Sequence, residues 1–300
     1  MSGLKIITAA AVFSAVLFSQ DTTIARYDTG ILKSVKITSL ANNIEKLFYS
    51  PAGILIESSL YYGDKLNGVQ YLYSEKGIVK QISTFRNNLM RGDFSSYYDD
   101  GRVKEIGAYS NGLPNGVFTG YYQSGKVMTV AVFVKGKREG KAFYYYENGQ
   151  LNIEVTFAAN REEGLSTIYY ENGKIKTTRG FLEGNLHGES IEYYTDGKVK
   201  EIKYFNYAKA DSVNTIYYPD GTLKANINYK LGNKNGAAVT YYENGAVWTK
   251  QSYIKNALEG ITEIFRKDST LWYRDTYSEG KLVSSTEYSE NGTIISEKKY

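Results

Sequence analysis

Tyr145-Tyr146-Glu147-Asn148-Gly149-Gln150-Leu151 returns in near copy along almost the whole chain, next as Tyr169-Tyr170-Glu171-Asn172-Gly173-Lys174-Ile175. Nine turn glycines, Gly53, Gly77, Gly101, Gly125, Gly149, Gly173, Gly197, Gly221 and Gly245, follow one another at 24-residue steps (77−53, 101−77 and so on). A unit that short cannot bury a core alone and must stack on its neighbours, so the chain is an array. Asn148-Gly149, Asn172-Gly173, Asp196-Gly197, Asp220-Gly221 and Asn244-Gly245 sit between stretches rich in Tyr, Val, Ile and Thr. Such pairs are the strongest short-range hairpin signal, because a tight turn that matches strand twist needs positive φ. A flexible glycine-rich linker would hold neither a fixed period nor aromatics at fixed offsets. The fold class expected is all-β, an elongated, twisted antiparallel sheet of tandem 24-residue β-hairpins.

Ordinary domain counting does not apply to the 300 residues. Residues 1–19 read as a cleaved export signal, with Lys5 as the positive end and an apolar run from Ile6 to Phe18. That run of 13 residues (6 to 18) falls short of the roughly 20 that a spanning helix needs. Residues 20–44 form a divergent N-terminal cap or worn repeat, with Asp28-Thr29-Gly30 as its turn, and tandem repeats fill 45–300. Ser269 replaces the tenth glycine and Asn291-Gly292 closes one residue early, so no separate sorting or catalytic module is expected. Roughly 20 strands about 4.8 Å apart would make a sheet on the order of 95 Å long, curled into a ribbon or open superhelix.

Side-chain columns follow from offsets to the turn glycine. Two residues after it stands a large aliphatic such as Leu151 or Ile175, and eight after it an aromatic such as Phe157 or Phe181. Both offsets are even, so the two columns share a buried face. Fifteen residues after it a second glycine recurs, as Gly68, Gly92, Gly116, Gly140, Gly164, Gly188, Gly236 and Gly260, with Ser212 the one exception, and marks the opposite turns. Before the turn, Tyr145 and Tyr146 and their copies point to opposite faces. The second of each pair, Tyr98, Tyr122, Tyr146, Tyr170, Tyr194, Tyr218 and Tyr242, then lines the other face with a wet hydroxyl, either as an interaction surface or as cross-strand support.

Thirty tyrosines and 29 glycines against three prolines favour strand and turn. The formal charge of +4, from 36 Lys and Arg against 32 Asp and Glu, alternates in sign and gives no nucleic-acid footprint. With no cysteine and His187 as the one histidine, neither disulfides nor a zinc site of the usual kind can form, and His187 reads as a solvated loop residue. Glu147, Glu171, Asp196, Asp220 and Glu243 recur beside the turns, one per repeat, as turn chemistry rather than calcium ligands. No catalytic residue, cofactor or metal is expected.

The recurring Tyr-Tyr-x-Asn-Gly-Lys-x-Lys, then an aromatic, then Gly-x-x-x-Gly, resembles the MORN repeat variant of the bacterial YwqK-like family over about residues 45–300. That resemblance implies elongated sheets of hairpins engaged in protein contacts or lipid binding, and an antitoxin role. The leading expectation is a non-enzymatic exported scaffold, in the periplasm, at the outer surface or secreted, that binds another protein or a surface polymer along the tyrosine-lined face. The alternatives are a YwqK-like antitoxin component and a peripheral membrane lipid binder.

Overall fold

β-branched and aromatic runs punctuated by residues that accept positive φ can satisfy their backbone only by pairing with the next run. The computed structural model describes residues 19–39 and 42–300. The export segment expected at residues 1–19 lies, save for Ser19, outside them. The described residues form 29 antiparallel strands and no α-helix. They fall into two units, Met1–Arg138 and Glu139–Tyr300. The first holds β1 (Ser19–Arg26) to β12 (Lys137–Arg138), and the second β13 (Gly140–Tyr145) to β29 (Ile294–Lys299).

In the second unit the repeat is plain. β14 (Leu151–Ala158) pairs with β15 (Arg161–Glu162) and β16 (Gly164–Tyr169), and β16 pairs with β17 (Ile175–Leu182), which pairs with β18 (Asn185–Tyr193). The Asn-Gly turns are three-residue loops. Tyr146 N–H donates to Gln150 O and Gly149 N–H to Tyr146 O, both at 2.8 Å, while Asn148 Oδ1 accepts from Gln150 N–H at 2.8 Å. Only the glycine takes positive φ, 94° at Gly149. The motif is therefore a type I turn closed by a left-handed glycine, and the Asn or Asp serves through its side chain. Residues 19–39 repeat the device, since Tyr27 N–H donates to Ile31 O and Gly30 N–H to Tyr27 O, with Gly30 at φ 82°.

The opposite turns are not where the second glycine suggests. They are two-residue loops four or five positions earlier, among them Asn87-Asn88, Asn111-Gly112, Lys135-Gly136, Ala159-Asn160 and Glu183-Gly184, with positive φ at both positions. Gly116, Gly140, Gly164 and Gly188 instead sit at bulges inside the returning strand, at φ 111°, 73°, 72° and 80°. Each faces the aromatic of the following strand: Gly116 pairs with Phe133, Gly140 with Phe157, Gly164 with Phe181 and Gly188 with Phe205. A bulge needs the left-handed region just as a tight turn does, so glycine recurs at both.

The large aliphatic and aromatic columns are mostly half-buried, and the deepest positions belong to small residues between them. In the second unit these are Ala142, Val155, Ser166, Thr177, Asn214, Ala225, Ala238 and Thr262, with Phe157 the one ring among them. The strong contacts of each strand are with its neighbours in the sheet. A face without a covering layer stays buried only where large side chains lie over small ones, which inverts the expected order of burial. In the first unit the rings gather instead: Phe94 lies 5.3 Å from Tyr109, Tyr109 5.6 Å from Phe118, and Phe118 5.1 Å from Phe133.

Candidate functional site

The tyrosines after the last paired residue of each returning strand are half-buried. Their hydroxyls are not left to water. Tyr146 donates to Tyr169 O at 2.7 Å, Tyr170 to Tyr193 O at 2.7 Å, Tyr194 to Tyr217 O at 2.8 Å, Tyr218 to Tyr241 O at 2.8 Å and Tyr242 to Phe265 O at 2.8 Å. In the first unit Tyr98 does the same to Tyr121 O at 2.6 Å, and Tyr27 to Tyr49 O at 2.9 Å; Tyr122 is likewise half-buried. Each hydroxyl thus spans from one turn to the carbonyl that opens the next. Burial, then the charge of Glu171, pushes the Tyr146 phenol above its usual range, and burial followed by Glu243 does so at Tyr218. Both therefore stay protonated donors.

Further donors run along the same turn edge. Asn148 Nδ2 reaches Glu171 O at 3.2 Å, Asn244 Nδ2 reaches Lys267 O at 3.0 Å, and Lys174 Nζ reaches Asp196 O at 2.8 Å. Where the tyrosine is replaced by Arg266, its guanidinium takes over and donates to Tyr288 O. At Ser50 and Ser74 the side chain turns back on its own loop instead, accepting from Ile54 N–H and Ile78 N–H. The rings are further fixed by cations, with Lys176 Nζ 5.7 Å from the Tyr170 centroid and Lys224 Nζ 5.2 Å from that of Tyr218. What remains is a row of rings held in place at hydroxyl and face.

His187 lies in β18 rather than in a solvated loop. It is half-buried, its ring 5.3 Å from that of Tyr207, and its Nδ1 is buried without a hydrogen-bond partner. It borders an open groove with Phe205, Asp211 and Tyr229. Sequence reasoning passed over this place; the signal was a histidine and an aspartate at one offset of adjacent repeats. Among the described residues no group of three or more His, Cys, Asp or Glu could hold a metal ion.

Comparison with known proteins places five copies of the MORN repeat variant at residues 138–159, 162–181, 186–207, 211–231 and 234–255. Repeats of this kind are generally protein- or lipid-binding scaffolds. No curated protein matches the chain, and no named relative supports the YwqK-like assignment. Among solved structures the chain is similar to TcdB2-TccC3, at 14% identity over 93% of this chain and 18% of that one, with a TM-score of 0.21. It is also similar to a porin-like protein from Bacteroides uniformis, at 10% identity over 84% and 91% of the two chains, with a TM-score of 0.18. The chain thus spans 18% of the first of these structures, and likenesses at such scores carry no argument about function. What the comparison identifies is a segment, residues 138–255, that carries five tandem copies of the MORN repeat variant.

Proposed function

We propose that the chain is a non-enzymatic, exported scaffold that binds another protein along the row formed by Tyr146, Tyr170, Tyr194, Tyr218 and Tyr242. The observation that carries this reading is that every one of these hydroxyls is already bonded to backbone. A ring fixed before its partner arrives loses little rotamer freedom on binding, and Tyr is favoured where rigid amphipathic contact is needed. Against a lipid surface, the cations beside the turns are already spoken for: Lys174 on Asp196 O, and Lys198 on Pro219 O and Asp220 O. Export rests on the first 19 residues.

The test is capture from envelope extract by the wild type and by two variants checked for folding by circular dichroism. One changes Tyr146, Tyr170 and Tyr194 to Phe, and the other changes the same three to Ser. The Phe set keeps the rings but releases them from the backbone and should capture less of the partner, whereas the Ser set should lose it. An identical set of captured proteins from all three would end the proposal for this surface. Fractionation showing the chain in the cytoplasm with residues 1–19 intact would end the exported part.

A further inference from the structure

A groove of about 630 Å³ on the second unit is lined by His187, Phe205, Asp211, Ser212, Tyr229 and Lys230, together with three asparagines. It coincides with the place where the repeat departs from its own rules. Six residues of this unit stand fourteen positions after a turn glycine, and in four of them a side-chain oxygen caps the outer turn that follows. Glu139 Oε2 accepts from Ala159 N–H at 2.9 Å, Glu163 Oε2 from Glu183 N–H at 2.8 Å, Asn235 Oδ1 from Lys255 N–H at 3.3 Å, and Glu259 Oε2 from Glu279 N–H at 2.8 Å. The two intervening members of the column are His187 and Asp211, and neither caps. His187 Nδ1 is buried without a partner, and the Asp211 carboxylate makes no hydrogen bond or ion pair with the described residues.

Two backbone departures fall at the same spot. The outer turn beside His187 is Tyr207-Ala208, which holds φ of 46° and 62° with neither glycine nor asparagine. Ser212 stands at φ 84° in the bulge column that glycine otherwise fills. Lys135, Ala159 and Glu183 show that the first turn position tolerates a side chain, but Ala208 and Ser212 hold the left-handed region where the other copies have Gly or Asn, a strain that persists only where the surroundings fix it, and it falls beside the released caps.

The chemistry presented there narrows the ligand. Phe205 and Tyr229 come from consecutive repeats, two strand spacings or about 10 Å apart. Around them stand a carboxylate, an ammonium, a hydroxyl and carboxamides, of which Asn235 gives its oxygen to Lys255 and keeps its two N–H donors. A divalent cation finds no cluster of ligands, and a phosphate would meet the Asp211 carboxylate beside the one ammonium of Lys230. A peptide strand needs a free sheet edge, yet β19 (Val199–Asn206) is paired on both sides, with β18 and with β21 (Ser212–Tyr217). Sugar rings fit: their C–H faces lie on aromatic rings and their hydroxyls both donate and accept.

We infer that this groove binds a segment of a neutral polysaccharide, stacked on Phe205 and Tyr229 and held by His187, Asp211 and Ser212. The site is separate from the tyrosine row, and its test does not depend on that row.

The full chain is run through native gels containing, in turn, a mixed-linkage β-glucan, glycogen, xylan and galactomannan, with polygalacturonate as an anionic comparison. At least one neutral polymer should retard the wild type, and Asp211→Ala and Tyr229→Ala should each raise the Kd at least tenfold. Because alanine could disturb the sheet, a second variant combines His187→Asn with Ser212→Gly, which returns both positions to the rule of the other repeats. It should fold at least as stably as the wild type and lose binding at least tenfold. No retardation by any neutral polymer, retardation by polygalacturonate alone, or retardation unchanged in Tyr229→Ala and in the double variant would each overturn the assignment.

Discussion

Replacing Tyr146, Tyr170, Tyr194, Tyr218 and Tyr242 together by Phe removes five hydroxyls and leaves every ring. Each lost bond is 2.7 or 2.8 Å long, between a half-buried phenol and a backbone carbonyl that water can reach once the hydroxyl is gone. Such a bond contributes about 1 kcal/mol, because rehydration of the carbonyl spares the larger penalty of a sealed, unpaired acceptor. Successive sites lie two strands or about 10 Å apart, far enough for their effects to add, so the fivefold variant should lose about 5 kcal/mol. For a chain with a total in the usual range of about 5–15 kcal/mol this is a large fraction. Urea unfolding followed by tryptophan fluorescence measures it, since both tryptophans, Trp248 and Trp272, lie in the second unit and Trp248 stands 5.6 Å from Tyr242. Tyr193→Phe is the control, because the Tyr193 hydroxyl has no hydrogen bond among the described residues while its carbonyl accepts from Tyr170. A fivefold variant that loses less than about 1 kcal/mol at unchanged m-value, or no more than the control, would refute the reasoning.

Two further outcomes follow from single sites. The Thr222 hydroxyl, then the Thr222 N–H, hold the Asp220 carboxyl below its ordinary value of 3.8. A carboxylate depressed in the folded state contributes stability that is full above the ordinary value and is lost as pH falls through the lower, folded one. Asp220→Asn keeps the acceptor, as Asn148 and Asn172 do in their turns, so thermal melts between about pH 5 and pH 2 should fall less steeply than in the wild type; parallel curves would contradict this. Gly107→Ala would place a Cβ 2.5 Å from the Phe118 ring, which is itself held between Tyr109 and Phe133. Overpacking of this kind costs about 1–3 kcal/mol, and an unchanged melting temperature would show that the ring has room to move.

The hairpin array was legible because local chemistry repeats. Gly149 with Asn148 before it can be read as a turn from two residues, and the structure has a turn there. The opposite turns were misplaced because glycine reports positive φ and not its cause. Gly164 marks a bulge, while the true turn, Ala159-Asn160, has Asn where Gly136 and Gly184 stand in the adjacent copies, so no single residue type marks the column. The tyrosine row could be seen but its bonds could not. Tyr170 finds its acceptor 23 residues away, on a neighbour whose placement depends on the stacking of whole repeats. His187 was hidden for the opposite reason, since a solitary histidine in a polar stretch means little until the column of turn caps it interrupts is known.

The hydroxyl bonds of Tyr27, Tyr98, Tyr146, Tyr170, Tyr194, Tyr218 and Tyr242 run the same way along the chain. The donor always precedes its acceptor, by 23 residues from Tyr146 to Tyr169 and by 22 from Tyr27 to Tyr49. A polypeptide leaves the ribosome, or enters a translocation channel, amino end first. Each phenol is therefore out and waiting before the carbonyl it will hold has appeared, and every newly emerged hairpin meets a donor already mounted on the one before. The growing end carries a spare hydroxyl, which water can satisfy, and not a carbonyl awaiting a later donor. Assembly in the order of synthesis is built into the direction of one hydrogen bond.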